Sequence, residues 1–219
     1  MFNGLNQQEK TAFQNYELLA YICEGTEIEI KNWFQTINIQ GVPLNQQELL
    51  NAVYSGPFVT AAREYFSNHL QPEMQKWLTY IKGDPKRQDI LATALSWVSD
   101  HQVETYLSQH RDDQQIDELK NYFNAVIDWV STTFLQTDSV MRQVNWGDLY
   151  RQYHQQPYDL VKLNQTVAKL FADPDVTKKA GIYEYVLGEQ QEIQLVHIRT
   201  FSLTDRKTCY QQQTTQAKA

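Results

Sequence analysis

The chain has 219 residues and a net charge of −7, with 42% hydrophobic residues that include 13 Tyr, 9 Phe and 5 Trp. A globule of this size buries roughly 70% of the surface its unfolded chain exposes, so this composition supplies a sizeable core and excludes a wholly disordered chain. The acidic balance argues against a surface that grips nucleic acid by phosphate neutralisation alone, and no apolar run reaches the roughly 18 residues that a membrane span needs.

In chain order, the pattern predicts a short helix over 7–14 and then a strand over 16–23, rich in apolar and β-favouring residues. That strand has no evident partner nearby, so its exposed edge is expected to make the chain prone to self-association. Cys23 and Cys209 occur without a secretory signal, which fits reduced thiols and a cytoplasmic protein. From Thr26 on, helical period dominates. Thr26 and Glu29 form a capping box ahead of Ile30, Trp33, Phe34 and Ile37 on one face, and this helix is expected to stop near Asn38. Asn38 and Gly41 tolerate left-handed backbone, and Pro43 delays the next helix. Asn45 then caps a helix whose Glu48 reaches back to the cap, with Leu44 packing on Leu49 as a staple.

Leu49, Leu50, Val53 and Tyr54 share one face, and Gly56-Pro57 opens a helix carrying Phe58, Ala62, Tyr65 and Phe66. Met74, Trp77, Leu78 and Ile81 follow Pro72, and Gly83-Asp84-Pro85 ends that helix before Ile90, Leu91, Ala94, Leu95 and Val98. The longest helix is expected over 113–134, with Ile116, Leu119, Phe123, Val126, Ile127, Val130 and Phe134 inward and Asp112 and Asp113 at its positive end. Trp146, Leu149, Tyr150 and Tyr153 predict another helix, and so do Leu160, Leu163, Val167, Leu170 and Phe171. Asp173-Pro174-Asp175 separates that helix from a last one over 176–187, and the short run Ile193, Leu195, Val196 and Ile198 is compatible with extended structure. The fold class is therefore mainly α, a multi-helix bundle-like domain with a minor β element near the N-terminus.

Chemical signals are sparse. His69, His101, His110, His154 and His197 show no paired metal spacing, neither cysteine forms Cys-x-x-Cys, and no phosphate loop or nucleophile elbow is present, so neither catalytic nor metal-binding residues are expected. His110-Arg111-Asp112-Asp113 offers a base and two acids, but at an expected helix start the capping role accounts for them. Lys82, Lys86 and Arg87 around one loop read as ordinary solvated charges. The turn that holds Asn38, Gly41 and Glu48 is the one ligand-facing candidate. The same three residues serve equally as cap, turn and capping box.

The pattern Phe34-x-x-Ile37-Asn38-x-x-Gly41-x-x-Leu44-x-x-x-Glu48-Leu49-x-Asn51-Ala52, followed by Gly56-Pro57-Phe58, resembles the N-terminal domain family of GmrSD-type modification-dependent restriction endonucleases. Gly181-Ile182-Tyr183-Glu184-Tyr185 and Ile198-Arg199-Thr200-Phe201-Ser202 resemble the stretch that, in a subset of that family, runs into a C-terminal HNH nuclease domain. The family's Asp-Gly-Gln-Gln-Arg run and the Cys-x-x-Cys opening of an HNH domain do not occur here, so the chain looks truncated at both ends. The resemblance implies a remnant of a sensor domain over 1–25, a helical domain over 26–200 and a terminal helix with a frayed tail over 201–219. It implies a helical connector of a phage-defence restriction protein, without turnover of its own. NTP and a divalent metal would be cofactors of the parent protein rather than of this segment, and DNA would be engaged only through the full-length protein. The alternative is a stand-alone helical protein–protein interaction module that docks through Trp77, Trp97 and Trp129 on helix surfaces.

Overall fold

Side-chain caps start some of the helices, proline starts another, and burial of an apolar stripe holds most of the rest, so the fold is mainly α. The computed structural model describes residues 4–17, 22, 24–38 and 45–196. Eleven α-helices occur among them, distributed over two units, residues 1–44 and 45–219. No helix among the described residues is long and apolar enough to cross a membrane.

In the first unit, α1 (Gln7–Gln14) begins at a capping box in which Asn6 Oδ1 accepts from the Glu9 N–H at 2.9 Å and Glu9 Oε2 accepts from the Asn6 N–H at 2.9 Å. In α2 (Glu27–Asn38) the expected box is present. The Thr26 N–H donates to Glu29 Oε2 at 2.8 Å and the Glu29 N–H to Thr26 Oγ1 at 3.3 Å. The Thr26 N–H and hydroxyl hold the Glu29 carboxyl below its usual range. The strand expected over 16–23 lies largely outside the described residues; Tyr16, Glu17 and Ile22, which are described, are not in a strand.

The second unit starts at the next box. Asn45 Oδ1 accepts from the Glu48 N–H at 2.8 Å, Glu48 Oε2 accepts from the Asn45 N–H at 2.8 Å, and α3 (Gln46–Val53) follows. The partner expected for Leu49, Leu44, lies outside the described residues. Leu49, Leu50, Val53 and Tyr54 are buried as their spacing predicts. On the same helix two buried polar side chains satisfy each other and a neighbour: Gln47 Nε2 donates to Asn51 Oδ1 at 2.8 Å, and Asn51 Nδ2 donates to Gln88 Oε1. Asn45 Nδ2 adds a bond to Arg87 O at 3.2 Å, so the turn at residues 85–88 is clasped onto the start of α3.

Pro57 opens α4 (Pro57–Phe66), α5 (Met74–Tyr80) follows, and a 3₁₀ turn (Pro85–Arg87) leads through left-handed Gln88 (φ 64°) into α6 (Asp89–Val98). After α7 (Val103–His110) comes the longest helix described, α8 (Asp117–Thr133), whose Leu119, Phe123, Val126, Ile127 and Val130 are fully buried, and α8 packs against α5, α6 and the later helix Trp146–Tyr153. It starts at Asp117, not at 113. Asp112 and Asp113 therefore do not sit in its first turn, where Asp117 and Glu118 meet the positive end of the dipole instead. The Asp113 N–H bonds back to His110 O at 3.0 Å, so Asp113 belongs to the turn that closes α7, and the apolar rhythm beginning at Ile116 could not reveal that.

A 3₁₀ turn (Ser139–Gln143) leads to α9 (Trp146–Tyr153). In α10 (Leu160–Ala172) the Asp159 carboxylate accepts from the Lys162 and Val161 N–H groups, which hold it below the usual carboxylate range. Lys179 closes the other end of α10, donating from Nζ to the carbonyls of Leu170, Phe171 and Asp173 at 3.1, 2.9 and 2.8 Å. The last helix, α11 (Gly181–Leu187), is shorter than the expected 176–187. A Cβ at Gly181 would lie 1.9 Å from Leu195 O, so the chain must cross itself closely there. The Ile193–Leu195 segment is a 3₁₀ turn rather than extended.

Trp77 and Trp97 are not surface residues: they are 0% and 3% exposed, and Trp129 is half-buried edge-on to Tyr150. Gly147 marks a close approach beside Trp97, because a Cβ there would lie 2.3 Å from the Trp97 indole. Gly147→Ala is expected to lower stability by about 1–3 kcal/mol, as overpacking does, in a urea titration. An unchanged midpoint would show that α9 and Trp97 are not in such close contact.

Candidate functional site

The chain leaves regular backbone at the end of α6, as it does again at Glu189 and Gln190 (φ 55° and 64°) after α11. Asp100 (φ 52°) and His101 (φ 66°) are consecutive non-glycine residues in the left-handed region, a conformation that costs on the order of 1 kcal/mol or more per residue. The His101 N–H closes the turn on Ser96 O at 2.9 Å. Local backbone alone would not hold two such residues, and the side chains show what does.

Both ring nitrogens of His101 are engaged: Nδ1 lies 2.8 Å from Ser96 Oγ and Nε2 lies 2.9 Å from Asp148 Oδ1. The facing carboxylate assigns the Nε2–H tautomer, with Nδ1 accepting from the Ser96 hydroxyl. Arg151 reaches from α9 with Nη1 at 2.7 Å from Asp100 Oδ1 and 3.2 Å from Asp148 Oδ1, while Nη2 donates to Trp97 O at 2.9 Å. Asn145 completes the circuit, accepting from Trp97 Nε1 at 3.0 Å and donating to Asp148 Oδ2.

Two chemistries deserve comparison with this geometry. Ser96, His101 and Asp148 are ordered like a nucleophile, a base and an orienting acid. Ser96, however, occupies the last turn of α6, where unpaired carbonyls gather partial negative charge that opposes a developing oxyanion. Asp100, His101 and Asp148 also offer three ligand atoms within 4.8 Å of one another. Arg151 already stands between the two carboxylates, so a metal ion would have to displace a guanidinium that bonds both. The arrangement works best as a clasp that fixes the end of α6 to α9.

A groove of about 410 Å³ opens beside the clasp, lined by Lys82, Thr93, Ser96, Arg142, Gln143 and Asn145 among others. A smaller cleft of about 210 Å³ lies on the Asp148 side and includes Lys178 and Glu184.

The candidates marked by the sequence lie elsewhere. Asn38 is the last residue of α2, Gly41 is outside the described residues, and the Glu48 carboxylate is committed to the Asn45 N–H. His110 is at the end of α7 with Nδ1 2.8 Å from Asp113 Oδ2, so its acid neighbour is a partner in a turn rather than a helix cap. The clasp was not legible in advance, since His101 and Asp148 are far apart in sequence and no motif spacing joins them. A helix that ends at Ser99-Asp100-His101 without a glycine was the one signal. Comparison with family models, curated proteins and solved structures finds no match to this chain.

The clasp should show as energetic coupling. In a double-mutant cycle of His101→Ala and Asp148→Asn read by urea denaturation, a coupling of about 0.5–1 kcal/mol is expected for this partly exposed pair. Strictly additive single effects would contradict the clasp.

Proposed function

We infer that the chain is a helical connector, or scaffold, of a GmrSD-like, HNH-fused DNA restriction protein acting in phage defence, with no turnover of its own. The observation that carries this reading is what the residues of the resemblance do in the fold. Asn45 and Glu48 start α3, Leu49 and Phe58 are core, and Asn51 clasps α3 to Gln88. Ile182 and Tyr183, from the second resembling stretch, are 0% and 1% exposed. Residues used in this way maintain a helical body, which is what a connector requires.

On this reading, NTP, a divalent metal and DNA are engaged by other parts of a cytoplasmic full-length protein, and this segment holds those parts at a fixed separation. The burial of Trp77 and Trp97 removes two of the three side chains that motivated a stand-alone docking module. The test is turnover by the purified chain. Incubated with an NTP, Mg²⁺ and plasmid DNA, it should release no phosphate and cut no strand. Cleavage or hydrolysis that co-purifies with the chain and disappears in His101→Ala would contradict the connector reading and return the Ser96–His101–Asp148 array to catalysis.

A further inference from the structure

Charge is sorted unevenly among the concavities of the second unit. One cleft of about 410 Å³ is lined by Glu184, Glu189 and Glu192 with no cation, and the cleft beside Asp148 mixes both signs. The groove between the end of α5, α6 and the Ser139–Gln143 turn is the opposite case. Lys82 and Arg142 line it, no carboxylate does, and neither cation makes an ion pair or hydrogen bond with a described residue. In a chain of net charge −7, two cations facing one groove that no carboxylate lines leave a local positive field there.

The rest of the lining specifies what fits that field. Gln143 offers an uncommitted side-chain amide, and Asn145 retains a second N–H beyond the one given to Asp148. The hydroxyls of Thr93 and Ser96 are spent on Asp89 O and His101, so they shape the wall without donating into it. Ile81 and Val144 supply apolar wall. Two separated cations suit a dianion better than a single carboxylate, and a volume of about 410 Å³ with mixed walls leaves room for an organic part as well as the charged head. The clasp holds one side of the groove rigid, because Asn145 is bonded both to Trp97 and to Asp148. We propose that this groove binds a small phosphate monoester, with Lys82 and Arg142 holding the phosphate and Gln143 and Asn145 orienting it. The proposal stands apart from the connector reading, since a scaffold and an enzyme can each carry such a site.

The test is a titration of the full chain with inorganic phosphate and with a sugar monophosphate, followed by protein-observed NMR. Both should bind saturably and shift the amides of Lys82, Gly83, Gln143 and Asn145, the sugar monophosphate more tightly, and binding should weaken as salt is raised. Lys82→Gln and Arg142→Gln should each weaken binding roughly tenfold, equivalent to about 1.4 kcal/mol. Lys86→Gln, which makes the same charge change on the same loop but outside the groove, should leave binding within about twofold, the shift that a ~0.4 kcal/mol change makes. These positions are exposed, and unchanged circular dichroism will show that the variants remain folded. The proposal is overturned if neither small probe saturates, or if Lys86→Gln weakens binding as much as the groove substitutions. It is equally overturned if a short single-stranded oligonucleotide binds while both small probes do not, which would make the groove part of a nucleic-acid surface.

Discussion

The Phe123 ring is the point on which the second unit turns. From the middle of α8 it meets Phe66 of α4 at 5.3 Å, Trp77 of α5 at 5.2 Å and Trp97 of α6 at 5.2 Å between ring centroids, edge-on to the first two and stacked on the third. Aromatic pairs of this kind add about 0.5–1.5 kcal/mol beyond the burial of their area. Three of them on one side chain commit three helices to one register along α8. A second cluster, Phe134, Trp146, Tyr183 and Phe171, extends the same core toward α11, where burial and the nearby Asp138 push the Tyr183 hydroxyl pKa upward.

Burying three indoles imposes a polar requirement, and its solution shapes the surface around the site. Trp77 Nε1 donates to Asn124 Oδ1 at 3.1 Å, Trp146 Nε1 to the carbonyls of Tyr80 and Met141 at 3.0 and 2.9 Å, and Trp97 Nε1 to Asn145 Oδ1 at 3.0 Å. The Asn145 bond links core to surface, because its amide also holds Asp148, which holds His101 and so the left-handed end of α6. The clasp is thus an outgrowth of core packing. Gly147 serves the same contact from the backbone side, since only a residue without Cβ lets α9 approach the Trp97 ring.

Much of the framework was legible in the sequence because caps and apolar period are local signals. The boxes at Thr26 and Glu29 and at Asn45 and Glu48, proline at the start of α4, and the stripe through Phe123 all read directly. What failed depended on contacts distant in sequence. The start of α8 was read too early because Asp113 serves a turn with His110, and α11 was read too long because Gly181 must pass Leu195. Trp77 and Trp97 motivated the docking surface of the alternative reading, and Phe123, contributed by another helix, packs on both of them in the core. The site was the least legible part. Ser96, His101, Asp148 and Arg151 are unremarkable in their own neighbourhoods and acquire meaning only where α6 meets α9.

If α8 is the common partner of α4, α5 and α6, none of these helices should open without losing the whole unit. Native-state hydrogen exchange measures this directly. The account predicts that the buried amides of α6 and α8 exchange in one slowest class, with an opening free energy equal to that of global unfolding from denaturant titration. Slow exchange in α6 together with independent, faster opening of α8 would contradict it.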